Sequence, residues 1–204
     1  MRKMLFLILL PFLSTALQAQ QMERLFMLAP DTVLPLLTEN DRFELVEYAK
    51  ARMKSRVSNQ LDGESVLKEI TPDYLLLCPT KLSTMQMKLL PTSNDTIICV
   101  VNSVKIEAED SRVAFFDSRW NRLHDDSCFT FPSIKEFFSP SDTIDKYVNM
   151  CDIYLVSLRL SPDENHIVAE YTMPSYMNKR DAAVVAPLLR KLVYRWNGKS
   201  FVRE

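Results

Sequence analysis

One short cluster in this chain has side chains that could perform acid–base chemistry: His124, Asp125 and Asp126, with Asp117 shortly before them. An imidazole beside carboxylates can act as an oriented general base or can bind a cation. Two carboxylates that face each other across a cleft would be enough for glycoside hydrolysis. Consecutive loop residues rarely point at one place, however, and these lack the spacing of metal ligands on a helix. We interpret the cluster as a solvated turn, and a hydrolase that uses these four residues stays open as the alternative.

Asp117 has a simpler interpretation in its local sequence, Asp-Ser-Arg-Trp. An aspartate at the start of a turn accepts hydrogen bonds from backbone N–H groups further along the chain. We therefore predict that Asp117 caps the turn that precedes Trp120.

Aromatic side chains give a second candidate site, formed by Phe115, Phe116 and Trp120. Adjacent residues of a strand point to opposite faces, so the two phenylalanines cannot enter the same core. The long segment from His124 to Asn149 is expected either to cover one of them or to leave an exposed apolar patch. These three residues are the predicted binding residues.

Four cysteines occur, at positions 78, 99, 128 and 151. Cys78 and Cys99 lie in the apolar runs LLLC and IICVV, where a thiol behaves as a small buried hydrophobe. Cys128 and Cys151 flank the loop-rich segment, and we predict a disulfide between them if the protein is exported. No Cys or His spacing predicts a zinc site, and no other metal site is expected.

Composition excludes several classes of function. Gly63 and Gly198 are the only glycines, whereas average usage would supply about 14. Phosphate-binding loops need several glycines for the close approach of backbone to ligand, so no nucleotide cofactor is expected. Cations and anions are nearly balanced, with a formal net charge of −1, which argues against nucleic acid as a partner.

The first residues are typical of a secretory signal peptide. Arg2 and Lys3 precede an apolar run over 4–13, and Ala19 is the small residue before the expected cut. The run is shorter than the roughly 20 residues that span a bilayer. We predict a signal peptide over 1–19, a single domain over 20–204 without a transmembrane span, and a periplasmic or secreted location.

The N-terminal part of the predicted domain favours helices. Asn40 or Asp41 can cap a helix over 40–54, in which Phe43, Val46, Ala49 and Met53 recur at helical spacing and predict the buried face.

From Glu64 onward the apolar period changes to two, in the runs GESVLKEI, DYLLLC, STMQMKLLP, DTIICVVNSV and SRVAFFD. Met85, Met87 and Leu89 share a face, which fits an antiparallel meander with one face on a core. DIYLVSLRL and HIVAEYT predict a further hairpin, NKRDAAVVA a helix, and Asn197-Gly198 a type I′ hairpin. The fold class is α+β: N-terminal helices, a large antiparallel meander, one late helix and a C-terminal hairpin.

The strings RFELVEYAKARMKSRVSNQLDGES, DYLLL, STMQMKLLP, FFDSRW and VYRWNGKSFV occur in this order. Together they resemble an uncharacterised domain-of-unknown-function family of small exported proteins from Gram-negative gut and oral anaerobes. The resemblance covers nearly the whole mature chain. It implies export and a single domain, and it supplies no activity or site residue.

Three tripeptides have the form Asp-Thr-aliphatic and place Thr32, Thr96 and Thr143 second. The form resembles an O-glycosylation signal of exported proteins in some of these bacteria, and each tripeptide lies in a predicted turn. We hypothesise modification at one or more of these threonines.

These observations favour an exported, non-catalytic domain that binds an envelope protein or ligand. A carboxylate-dependent envelope hydrolase, and an inhibitor or chaperone-like protein with an exposed sheet face, are the alternatives.

Overall fold

The N-terminal layer is helical, in a computed structural model that describes residues 21–140 and 144–204. Residues 21–27 form helix α1, and α2 covers Glu39–Lys50. A capping box starts α2: the Asp41 carboxylate accepts the Thr38 backbone N–H (2.8 Å), and Thr38 Oγ1 accepts the Asp41 N–H. A helix is confirmed here, but it covers Glu39–Lys50 instead of 40–54, and its cap is Thr38 instead of Asn40 or Asp41.

The buried face of α2 differs from the predicted one. Phe43 and Met53 are more than half exposed, whereas Arg42, Leu45 and Val46 are buried. The Arg42 guanidinium donates to the carbonyls of Met27 (3.2 Å) and Leu37 (2.8 Å), and it pairs with Asp31. The guanidinium can be buried because these two carbonyls and the carboxylate satisfy its hydrogen bonds.

The first sheet is a six-stranded antiparallel meander in sequence order. Its strands are β1 (Arg56–Ser58), β2 (Glu64–Ile70), β3 (Tyr74–Cys78), β4 (Ser83–Pro91), β5 (Thr96–Lys105) and β6 (Glu109–Phe116).

Both faces of this sheet are covered near its centre. Met85, Met87 and Leu89 face the N-terminal layer, as predicted. Gln86 and Lys88 point the other way and are also buried, beneath a strand of a second sheet (Val156–Leu160) and the loop that follows this strand. Gln86 bonds to Leu158 and Leu160, and Lys88 Nζ donates to the Pro162 carbonyl (2.7 Å).

The second sheet has four antiparallel strands in the order β10-β9-β8-β7. Its strands are β7 (Val156–Leu160), β8 (His166–Tyr171), β9 (Leu192–Trp196) and β10 (Phe201–Arg203). The C-terminal hairpin is confirmed, but the prediction of a type I′ turn is wrong. Trp196 pairs with Phe201 across the four residues 197–200, and among these only Gly198 has a positive φ, of 95°. Asn197 Oδ1 accepts the N–H groups of Lys199 and Ser200, which stabilises the longer loop.

The long connection between the sheets packs over the core that lies between them. It contains α3 (Asp125–Cys128), a 3-10 helix at Ile134–Phe137 and α4 (Ile144–Val148). Phe129, Phe137 and Phe138 are at most 2% exposed in the core between the sheets. The segment therefore covers the sheet instead of opening a pocket over these phenylalanines.

The late helix is confirmed as α5 (Lys179–Val185), flanked by 3-10 helices at Met173–Ser175 and Ala186–Leu188. The α+β class is thus confirmed. The predicted signal peptide, residues 1–19, lies outside the described residues. Within the described part of the chain, no helix has the length and apolar character needed to cross a membrane.

Candidate binding site

Asp117 organises its own turn. Its Oδ1 accepts the backbone N–H groups of Arg119 (2.8 Å) and Asn121 (2.9 Å), and Oδ2 accepts the Asn121 side-chain amide (2.7 Å). The bond from the Asn121 side chain holds the pKa of Asp117 below its ordinary value of 3.8. The carboxylate caps the turn before Trp120, as its position in the sequence predicts.

Asp125 is also held by backbone. Its Oδ1 accepts the N–H of Phe115 on the outer edge of β6 (3.2 Å), and Oδ2 pairs with Arg122 (2.5 Å). His124 and Asp126 are exposed. Within residues 21–140 and 144–204, no three His, Cys, Asp or Glu side chains lie close enough to hold a metal ion. The structure gives Asp117 and Asp125 separate structural partners and does not assemble the four residues into an acid–base site.

The predicted aromatic binding residues lie mostly in the interior. Phe115 is fully buried between the sheets, and Phe116 is 7% exposed beneath the N-terminal layer. The two rings therefore occupy different cores, as strand alternation requires, and the exposed patch considered for them is not present.

Trp120 is partly exposed and packs edge-on against Phe116, with ring centroids 5.3 Å apart. Its φ of 65° lies in the left-handed region, which is uncommon for a bulky residue. The turn capped by Asp117 supports this conformation, and the Trp120 backbone N–H donates to the Asp117 carbonyl (3.0 Å). A binding role for Trp120 stays a prediction.

The predicted Cys128–Cys151 disulfide is absent, because all four cysteines are free thiols. The Cys151 thiol donates to the Tyr147 carbonyl (3.3 Å), and Cys128 lies beside the Ser127 hydroxyl. Burial raises the pKa of Cys99, Cys128 and Cys151, so these thiols stay protonated. Of the hypothesised modification sites, Thr32 is exposed and Thr96 is partly exposed at the start of β5, whereas Thr143 lies outside the described residues.

An apolar cavity of about 340 Å³ lies where the N-terminal layer ends over the first sheet. The segment 32–37 forms one wall, and the ends of β3, β4 and β5 form the other. The floor is apolar and almost completely buried, and consists of Leu34, Leu37, Leu77 and Met85.

The sequence of β5 explains the opening of this cavity. Ile98 and Val100 continue the face that the N-terminal layer covers, but Asn102 and Val104 on the same face are exposed. Val104 is 53% exposed, and Thr32 and Ser83 complete a polar rim with Asn102. The cavity thus combines an apolar floor with a few polar groups at its mouth, the usual composition of a ligand site.

The lining residues suit binding better than catalysis. None of them carries an ionisable side chain. The hydroxyl of Ser83 is bonded to Thr80 (2.7 Å), and that of Ser103 to Ser111 (2.7 Å). Without an adjacent base these hydroxyls are not activated nucleophiles. A neutral apolar group fits such a lining, and no lining residue is a typical ligand for a metal or cofactor.

Sequence reasoning missed this cavity because its walls come from segments far apart in the chain. The sequence does contain a local signal for a different feature, the hairpin turns. The turn sequences around Leu61, Leu82 and Ile106 each contain an aliphatic residue among polar ones. Aliphatic side chains are unusual at hairpin tips, where Gly, Pro, Asn, Asp and Ser predominate.

The two-sheet fold defines an α+β domain with an open apolar cavity, and comparison with known proteins gives its family. The model of the family described as "Protein of unknown function (DUF3256)" matches residues 14–201, and the chain belongs to this family. The resemblance to an uncharacterised family is thereby confirmed, while export stays a prediction. No curated protein matches the chain.

A solved structure has a similar fold: a domain of an uncharacterized protein from Porphyromonas gingivalis W83. It superposes with a TM-score of 0.80 at 24% sequence identity, over 91% of this chain and 98% of that chain. At this identity the likeness establishes the fold alone.

Proposed function

We propose that this protein is an exported, non-catalytic binding domain of the cell envelope, and that the cavity beside segment 32–37 holds a neutral apolar group of its ligand. The observation that carries the proposal is the buried apolar floor beneath an open polar rim. Burial of apolar surface would supply the affinity, and Thr32, Ser83 and Asn102 would orient the bound group.

Two alternatives have less support from the geometry. A carboxylate hydrolase needs free carboxylates, but the oxygens of Asp117 and Asp125 accept structural hydrogen bonds. A chaperone-like protein needs an apolar sheet face, but the outer face of the second sheet carries ion pairs. Those pairs join Lys191 to Glu170 (2.7 Å) and Arg195 to Glu204 (2.5 Å).

Binding of a neutral fluorescent probe, N-phenyl-1-naphthylamine, tests the cavity. We expect saturable fluorescence enhancement, and a loss of affinity of about ten-fold or more in N102W, because the indole would occupy the mouth of the cavity. N94W, the same substitution in the exposed turn between β4 and β5, is the matched control. Non-saturable binding, or equal affinity in both variants, would refute the cavity as a site, provided that both unfold at the same urea concentration as the unsubstituted chain.

Export has a separate test. We expect the full chain, expressed with its own first residues in a Gram-negative host, in the periplasmic fraction. Its intact mass should be that of a chain whose first residue is Gln20. Modification at Thr32, Thr96 or Thr143 would add mass to protein isolated from its native envelope. An unmodified mature mass there would refute the hypothesis of glycosylation.

A further inference from the structure

Three hairpin turns lie side by side at one end of the first sheet: 59–63, 79–82 and 105–108, referred to below as the turn row. Each turn projects one aliphatic side chain into solvent. Leu61 is 69% exposed, Leu82 is 58% exposed and Ile106 is 78% exposed. Because successive turns at one end of a meander are two strands apart, the tips are spaced by about 10 Å. The three exposed aliphatic side chains thus lie in one row, unlike the singly scattered apolar residues of an ordinary surface.

Hydrogen bonds fix the turns relative to one another. The carbonyl of Pro79 in the second turn accepts the Asn59 side-chain amide (2.9 Å) and the Ser65 hydroxyl (2.8 Å). The Lys105 N–H of the third turn donates to the Leu82 carbonyl (2.9 Å). The row is therefore preorganised, and ordering it would cost little conformational entropy on association.

Charge on the turn row is balanced. Asp62, Lys81, Lys105 and Glu107 are all exposed. Across the described ranges 21–140 and 144–204, none of the four forms an ion pair. Two cations and two anions give the row no net charge, which disfavours an anionic membrane surface or a strongly charged protein as partner.

We propose that the turn row is a self-association surface, and that its partner is a second copy of this chain. An interface around a two-fold axis must be self-complementary, and mixed unpaired charges around aliphatic tips satisfy that requirement. An axis that crosses the row at its central turn places the first turn of one copy against the third turn of the other. Leu61 then meets Ile106, Asp62 meets Lys105, and the central turn, with Lys81 and Leu82, meets itself.

The alternative two-fold arrangement opposes each turn to itself. It would bring Asp62 against Asp62 and Lys105 against Lys105, and like charges across an interface are unfavourable. Since Lys81 faces its own copy in both arrangements, the contacts of Asp62 and Lys105 are the ones that select the crossed arrangement. The row is short, so the interface belongs to the small size class and the association is weak.

Sedimentation velocity of the mature chain tests the proposal, from about 10 µM to about 500 µM, the range suited to a small interface. We expect a reversible monomer–dimer equilibrium that weakens about ten-fold in I106S. The matched control is I153S, since Ile153 is also exposed (43%) but lies outside the row. A monomer throughout this range, or equal effects of I106S and I153S, would overturn the proposal.

Charge reversal tests the orientation of the two copies. D62K and K105D should each self-associate about ten-fold more weakly, because each places like charges together twice. An equimolar mixture of the two variants should dimerise again, since both contacts then join opposite charges. D163K, in the distant loop between β7 and β8, is the control for charge alone. Urea unfolding shows whether both variants are folded. If they are, a mixture that does not dimerise would exclude the crossed two-fold arrangement.

Discussion

The side chain of Gln86, on the first sheet, completes the hydrogen bonding of Leu160 on the second. Gln86 Oε1 accepts the Leu160 N–H (2.9 Å), and Gln86 Nε2 donates to the Leu158 carbonyl (3.3 Å). The Leu158 N–H donates to Ser111 Oγ on β6 (2.9 Å). Strand β7 is an edge strand of its sheet. The side chains of Gln86 and Ser111 hydrogen-bond to backbone groups of β7 that would otherwise be free to pair with another chain.

Replacement of Gln86 should therefore destabilise the fold strongly. Q86L keeps a similar volume but leaves the Leu160 N–H and the Leu158 carbonyl buried without this partner. Since each unsatisfied buried group costs about 1–3 kcal/mol, we expect the free energy of unfolding to fall by about 2–4 kcal/mol. Urea denaturation measures the loss. Q60L, the same substitution at an exposed glutamine, should change stability by less than about 0.5 kcal/mol, and equal losses in the two variants would contradict this assignment.

The strand pattern was predictable because it depends on local alternation. Met85, Met87 and Leu89 alternate with polar residues, and the structure places all three toward the N-terminal layer. What alternation could not reveal is that Gln86 and Lys88 are buried on the other face. Their partners, Leu158, Leu160 and Pro162, belong to a strand and loop far along the chain.

The candidate sites were harder to predict for the same reason. Asp117 could be assigned to its turn because its acceptor atoms serve residues two and four positions later. Cys128 and Cys151 could not be judged from position, since pairing depends on the path of the long connection. The cavity depends on where segment 32–37 stops over β5, which no local pattern encodes.

Asp125 should contribute to stability and its neighbour Asp126 should not. D125A removes the acceptor of the Phe115 N–H and the partner of Arg122. We expect a loss of about 1–2 kcal/mol, mainly from the backbone hydrogen bond, because the half-exposed ion pair is worth little. D126A alters an exposed carboxylate and should be close to neutral. Equal urea midpoints for the two variants would show that the Asp125 contact does not stabilise the fold.

Asp117 should make the turn before Trp120 sensitive to acid. The pKa of Asp117 is below 3.8 in the folded state, and the largest cause of this lowering is the hydrogen bond from the Asn121 side chain. A lowered folded pKa contributes stability above the unfolded pKa, and this contribution is lost as the pH falls through the folded value. The effect on global stability is small because the carboxylate is well solvated.

NMR titration of the Asp117 carboxyl measures its pKa in the folded state directly. We expect a midpoint below 3.8 in the unsubstituted chain and a higher midpoint in N121A, which removes the side-chain donor but keeps the backbone one. N94A, in another exposed turn, should leave the midpoint of Asp117 where it was. An unchanged midpoint in N121A would mean that another donor lowers the pKa.

Thiol reactivity should separate the four cysteines. Cys78 is half-buried, whereas Cys99, Cys128 and Cys151 are buried and burial raises the pKa of each. Because the thiolate is the reactive form, a thiol reagent such as iodoacetamide should label Cys78 first in the native chain and the other three only on unfolding. C78S should lose the fast reaction and keep the slow ones. Purified protein lacking two hydrogens in its intact mass, with the Cys128 and Cys151 peptides joined, would contradict the free thiols; four labels per unfolded, unreduced chain would agree with them.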